Sequence, residues 1–408
     1  MKTRSYSLKD IGPGLVIAAT GLGAGDLIAA AVAGARYGTA ILWAAILGAI
    51  VKFAMNEGLA RWQLATGSTL LEGWLQRLPR IVSLYFLVYL VLWSFIVAGA
   101  LIASTGLAAH ALYPGLSVGQ WGVLHSLAAL LLVTTGRYAL LEKIMKLFMA
   151  LMLLVVLVCA FWVAPGLSDI TRGLLAPAIP KGSAVFVMSV IGGVGGSVTL
   201  LCYGYWIRER NWNSRADLQR SRLDLGVAYL LTGIFGIAIM IIAAGVQPQV
   251  VSGPTMVLGL ADRLAEVVGP VGKWSFLIGF WSAVFSSMLG VWQGVPYLFA
   301  DFIGQFRAKP GMQASVDTRA PAYRGYQLYL ALPPMLLLLA GKPVWLVIAY
   351  AVAGAFFMPL LAGLLLYMNN RRDWLGRLKN GPAANLVLLV AVLVFGLLLY
   401  TEIGKQLD

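Results

Sequence analysis

Ala19-Thr20-Gly21-Leu22-Gly23-Ala24-Gly25-Asp26 and Ile191-Gly192-Gly193-Val194-Gly195-Gly196-Ser197-Val198-Thr199 are the two stretches on which the fold turns. Each sits near the middle of an apolar run long enough to cross a bilayer, which takes about 20 residues of helix. A helix in lipid satisfies its own backbone groups, so unwound chain persists at that depth only where it lines a cavity or packs within protein. Glycine clusters at mid-span therefore mark either close packing through small residues or an interrupted helix. The two clusters fall in the first and sixth apolar runs, the matching positions of two five-helix halves. One of them ends in an intramembrane carboxylate, Asp26. That combination favours interruption, and matched interrupted helices point to an inverted-repeat secondary transporter with its site between them.

The rest of the chain agrees. Of 408 residues, 60% are hydrophobic and 11% charged, against about 25% charged in a soluble domain. Too little charge is present to cover a water-soluble globule, and too much apolar residue for a disordered chain. Apolar runs occupy 11–34, 37–60, 82–108, 121–136, 140–164, 183–207, 225–246, 274–300, 325–340, 343–368 and 383–404, which predicts about eleven helices in a single transmembrane domain over 1–408. The strands of a closed barrel would be half as long and would alternate polar with apolar. The first run follows a short polar N-terminus directly, with no cleavage site, and is too long for a signal-peptide core. One further segment, Thr255 to Val268, sets apolar residues on one face and Asp262, Arg263 and Glu266 on another; an amphipathic helix at the outer interface is expected.

Lys and Arg orient the spans. With the N-terminus cytoplasmic, 22 of the 30 basic residues fall on the cytoplasmic side, 7 on the other, and Lys52 inside a span. The asymmetry predicts a multi-pass protein of the plasma or inner membrane, N-terminus inside. It also accounts for the net charge of +14 without nucleic acid as a partner. Cys159 and Cys202 both lie in apolar runs and form no metal pair. His110 and His125 form no HExxH motif, and GGVGGS lacks the Lys-Ser/Thr ending of a phosphate loop. No enzyme constellation and no cofactor motif is visible.

Several motifs resemble the Nramp family of divalent-metal transporters: Gly12-Pro13-Gly14 opening helix one, Ala60-Arg61-Trp62-Gln63-Leu64-Ala65-Thr66-Gly67 ending helix two, Gly136-Arg137 with Leu141-Glu142 at helix five, and Gly195-Gly196-Ser197-Val198 in helix six. The resemblance implies an all-α LeuT-type fold, a five-plus-five inverted repeat over 11–164 and 183–368, and an added helix eleven over 383–404. It also implies a secondary transporter. The departures are specific. Where the family reads Asp-Pro-Gly-Asn, this chain reads Gly23-Ala24-Gly25-Asp26; where the family reads Met-Pro-His, it reads Thr199-Leu200-Leu201. The proton-carrying acids of helix three have no counterpart, because 82–108 holds no charged residue, and the tenth span holds no Gln. The resemblance thus carries over the place of the site, not its metal ligands, and the family's proton route is not expected.

Asp26 is the one carboxylate near mid-membrane by this span placement, and an acid there is a functional-site candidate by default. Its alternative role is to cap the second half of helix one. Around it the breaks offer Thr20, Ser197 and Thr199 hydroxyls and the carbonyls near Gly21, Gly23, Gly25, Gly195 and Gly196. One carboxylate with neutral oxygens suits a hard cation such as Mg²⁺ or Mn²⁺ that keeps several waters, with Asp26 the metal ligand. Cys202 is either a soft ligand or a small buried residue. In helix two, Lys52 with Asn56 and Glu57 with Arg61 stand four apart and share faces. Lys52 either pairs with Glu57 or another acid, or holds positive charge that discourages cations. Tyr203, Tyr205, Trp206, Trp212, Trp281 and Trp292 are either interfacial anchors or a lining for an organic cation.

The expectation is a monomeric carrier of a hard divalent cation by alternating access, embedded in a lipid bilayer. The alternatives are a carrier of a small organic solute that lost metal binding, and a non-transporting receptor or scaffold.

Overall fold

A computed structural model describes residues 11–193, 195–248, 255–307, 316–340 and 343–407, and within these the side chains of 255, 307, 340–355 and 402–407 are not described. The described residues are helical throughout, joined by short turns. The first apolar run is broken: α1 (Pro13–Gly21) and α2 (Ala24–Tyr37) meet at a bend of 62°. Pro13 starts α1 at a position where its missing N–H costs nothing. Then follow α3 (Trp43–Thr66), α4 (Leu70–Arg77), α5 (Arg80–Leu112), α6 (Val118–Thr135), α7 (Tyr138–Val163) and α8 (Leu167–Leu175).

The sixth apolar run is broken as well. Here α9 (Ala184–Gly193) ends in a turn through Gly195 and Gly196, a 3₁₀ stretch covers Val198–Cys202, and α10 (Tyr203–Glu209) resumes the span. The later elements are α11 (Leu218–Val246), α12 (Thr255–Val268), α13 (Pro270–Arg307), α14 (Pro321–Ala331), α15 (Pro343–Asn369), α16 (Arg372–Leu375) and α17 (Pro382–Leu407).

Among the described residues, eight helices are long and apolar enough to cross a membrane, nine with the bent pair. The two expected spans outside that count are 325–340 and 343–368. The second is α15. The first is not one α-helix: α14 ends at Ala331 and the chain continues as a 3₁₀ helix over Pro333–Ala340. Pro333 and Pro334 supply no N–H to an α ladder, which forces the change. The amphipathic segment is a helix as expected. In α12, Met256, Val257, Leu260, Ala261 and Leu264 are buried, while Asp262 and Glu266 are exposed.

The bent pair runs through the middle of the bundle. It packs against α7, α11 and α13, and α9 lies between α2 and α3. Residues that charge counting assigns to one side do meet there. Arg222 bonds Glu57, Arg208 bonds Glu72, Arg210 bonds Glu142, and Lys146 donates to Ile11 O. At the opposite end, Arg36 lies over Phe186 and Lys273 bonds Asp262.

Asp224 anchors the start of the bent pair. From α11, its Oδ1 accepts Gly12 N–H at 2.8 Å, and its Oδ2 accepts Gly14 N–H at 2.6 Å and Tyr203 O–H at 3.0 Å. Those are orphan donors of a helix N-terminus held by a carboxylate from a distant helix. Asp224→Asn keeps the shape but turns an amine toward one glycine N–H. It is expected to lower stability by about 2 kcal/mol, the cost of one buried unsatisfied donor, read as a lower melting temperature in detergent.

Candidate substrate site at the two breaks

The breaks touch backbone to backbone. A Cβ on Gly21 would stand 2.6 Å from Gly195 C and 2.8 Å from Gly196 N. Gly195 and Gly196 hold φ of +86° and +81°, a region glycine enters at no steric cost. The α1 side is fixed by α13, which the sequence reading did not include. Ser287 Oγ donates to Thr20 O at 2.7 Å and Ser286 Oγ to Ala19 O at 3.3 Å. Adjacent serines in the middle of an apolar span were the available signal.

Asp26 stands in the first turn of α2, facing this contact. It is not the cap: Gly23 is the N-cap residue. The position still places its charge at the positive end of the helix dipole. The backbone amides of Gly195 and Gly196 hydrogen-bond the carboxylate. Oδ2 is buried without a hydrogen-bond partner. A small cavity of about 10 Å³ opens beside it, lined by Leu22, Val190, Gly193, Thr232 and Phe235, near the lower limit for one water.

Ser197 Oγ and Thr199 Oγ1 are likewise buried and unpartnered. Three orphan oxygens thus lie in or beside the two breaks: a carboxylate oxygen and two hydroxyls. Buried polar groups are nearly always satisfied, so such a group calls for an explanation. Thr20 differs, because its hydroxyl donates back to Val16 O at 2.6 Å. The expected glycine carbonyls are also less available than their sequence suggests. Gly23 O accepts Leu27 N–H at 3.2 Å. Gly25 lies inside α2, where carbonyls are used by the helix.

Lys52 completes the arrangement. It is fully buried. Its Nζ donates to Gly196 O, lies 3.9 Å from Met358 Sδ, and sits 5.8 Å from the centre of the Phe395 ring. The pairing with Glu57 is not formed. Glu57 is held by Arg61 and Arg222 on another face of α3, a direction set by helical spacing. Lys52 is therefore a fixed internal cation at the breaks, and the acid it acts on is Asp26.

Cys202 is fully buried against α13, where a Cβ on Gly294 would meet its Sγ at 3.0 Å. The aromatic residues at the end of the sixth span pack inward as well. Tyr205 O–H donates to Asp301 Oδ2 at 2.5 Å and Trp206 Nε1 to Gln293 Oε1 at 2.5 Å. Other acids lie deeper than Asp26, which is half-buried as a residue. Asp224 and Asp301 are buried at span ends, each in a hydrogen-bond network. No group of three or more His, Cys, Asp or Glu side chains is placed to hold a metal among the described residues.

With this geometry in hand, known proteins can be set beside it. The sequence model described as natural resistance-associated macrophage protein-like, Nramp, matches residues 14–403. The divalent metal cation transporter MntH of Pectobacterium carotovorum is 24% identical, with 99% of this chain and 96% of that protein aligned. The divalent metal cation transporter MntH of Bacillus subtilis is 24% identical over 95% of this chain and 90% of its own length. Among solved structures, a manganese transporter of Eremococcus coleocola superposes with a TM-score of 0.78 at 15% identity, covering 97% of this chain and 86% of its own. A nucleobase-cation-symport-1 family transporter follows with a TM-score of 0.56 at 14% identity, covering 97% of this chain and 93% of its own. These structures share the LeuT-type architecture that the family resemblance implied. The motifs that suggested the family, the broken first helix and the match across nearly the whole sequence agree: the chain belongs to the Nramp-like family of multi-pass membrane proteins.

Proposed function

We propose that this protein is a secondary transporter that moves a divalent metal cation across the plasma or inner membrane by alternating access. Its N-terminus is cytoplasmic, and its substrate site lies where the two interrupted helices meet. The observation that carries the reading is the set of unpartnered oxygens there: Asp26 Oδ2, Ser197 Oγ and Thr199 Oγ1. Oxygen donors with a single formal charge suit a hard cation that retains water, so Mg²⁺ and Mn²⁺ are the proposed substrates. Methionine and histidine are missing from the helix-six motif, which removes the donors that would favour softer ions. The named relatives act on divalent metal cations, which supports the substrate class. The halves 11–164 and 183–368 are proposed as the repeats that rock against each other, with 383–404 outside them.

One observation favours a second reading. A buried ammonium at Gly196 O opposes any cation entering the site, and a carrier of a small organic solute would have no such conflict. Uptake into proteoliposomes separates the two. Saturable entry of Mn²⁺ or Mg²⁺ is expected. Absence of metal uptake, combined with thermal stabilisation by an organic solute and none by metal, would give the second reading. Absence of any flux would leave a receptor or scaffold.

A further inference from the structure

We propose that the groove between α3, the turn at 376–379 and the start of α17 binds the headgroup of an anionic phospholipid. The groove encloses about 560 Å³. Glu57, Arg61, Arg222, Arg377 and Lys379 line its polar end, four cations against one carboxylate. Glu57 is already fully paired. Its Oε2 accepts Arg61 Nε–H at 3.1 Å and its Oε1 accepts Arg222 Nε–H at 2.9 Å, and the Nη2 of each arginine completes an ion pair with the same oxygen at 2.9 Å. Arg61 Nη1 also donates to Leu378 O at 3.2 Å. That bond fixes the turn on which Arg377 and Lys379 stand. Both of these side chains are exposed, and no acid among the described residues pairs with either. The charge at this end is complementary to a phosphate from outside the chain.

The rest of the groove says which phosphate. Ile50 and Phe53 on α3 and Ala384 and Val387 on α17 form an apolar wall. Ile50 is 48% exposed on a helix that crosses the membrane. A soluble phosphate would use only the basic end. A phospholipid uses both, with its headgroup on the arginines and its chains along the wall. Basic pockets between spans on the positively charged side of a membrane protein are suited to anionic headgroups. The groove is separate from the substrate site, because Lys52 and Asn56 point from α3 to the opposite side, toward Gly196 and Tyr229. It therefore does not depend on what the protein carries.

The test uses the full-length protein in detergent, with melting temperature and native mass spectrometry as readouts. The probes are phosphatidylglycerol, phosphatidylcholine and inorganic phosphate. Phosphatidylglycerol is expected to remain bound and to raise the melting temperature, and phosphatidylcholine is not. The double variant Arg377→Ala with Lys379→Ala, both exposed, is expected to bind phosphatidylglycerol about 30-fold more weakly. Arg137→Ala, an exposed cation elsewhere, should leave binding unchanged. Equal retention of the two lipids, or indifference to the double variant, overturns the site. Stabilisation by inorganic phosphate that matches phosphatidylglycerol overturns the lipid as occupant and assigns the groove to a soluble phosphate compound.

Discussion

Asp26→Asn is expected to reduce divalent-cation uptake into proteoliposomes by on the order of 100-fold. Asp26 supplies the only formal negative charge at the proposed site. A hydrogen bond to a charged group contributes about 1.5–3 kcal/mol, and a direct bond to a divalent ion contributes more. A loss of about 2.8 kcal/mol is already 100-fold in affinity. The single variant also removes the negative charge of Asp26, which acts on the buried Lys52 ammonium. Leaving a buried charge uncompensated is destabilising, so lost uptake alone could reflect a damaged fold. The double variant Asp26→Asn with Lys52→Met removes both charges and is expected to fold as well as the parent and still not transport metal.

Lys52→Met alone moves binding in the other direction. The ammonium occupies Gly196 O and neutralises the carboxylate that a metal would use. Removing it is expected to tighten Mn²⁺ binding by about 10- to 100-fold, or about 1.4–2.8 kcal/mol, measured by calorimetry. The wild-type protein then needs Lys52 to move aside as metal enters, which makes it a competitor built into the site. Unchanged or weaker Mn²⁺ binding in Lys52→Met would show that the ammonium does not compete with the metal, and would remove the conflict that favours the organic-solute reading.

These expectations rest on contacts that differ in how visible they are in the sequence. The two breaks were legible because glycine clusters at mid-span have few explanations in lipid, and their matching positions narrowed those further. Asp26 was legible because an acid at that depth stands out. Lys52 was visible as an oddity but not in its role. Its partner Gly196 is 144 residues away, and local spacing pointed equally to Glu57. Only the packing of α3 decides which face looks inward. Asp224 gave no signal, since an acid at the end of a span reads as interfacial. Its function appears only when α11 lies beside the start of α1, 210 residues apart in sequence. Ser286 and Ser287 gave a weak signal that was overlooked. The prolines at 333 and 334 were a strong one, and the hydropathy of 325–340 hid it.

Gly21→Ala is expected to destabilise the protein by about 3 kcal/mol and to reduce uptake at least about 10-fold, even though it adds one methyl group. The new Cβ would lie 2.6 Å from Gly195 C, 2.8 Å from Gly196 N and 2.9 Å from Gly195 Cα. All three are backbone atoms, so no side chain can rotate away. Overpacking costs about 1–3 kcal/mol where neighbours can yield, and here the upper end applies because both segments are already interrupted and held by α13. The only relief is for the two breaks to separate. That separation would carry Asp26 away from the amides of Gly195 and Gly196, so stability and transport should fall together. Gly226 provides the comparison. It lies in α11 with nothing within 4 Å of its added Cβ, and Gly→Ala in an unobstructed helix is stabilising by about 0.4–1 kcal/mol. Gly226→Ala should therefore raise the melting temperature and keep transport intact. If Gly21→Ala transports at the parent rate, the contact between the breaks is not the site, and the orphan oxygens on either side of it would need another explanation.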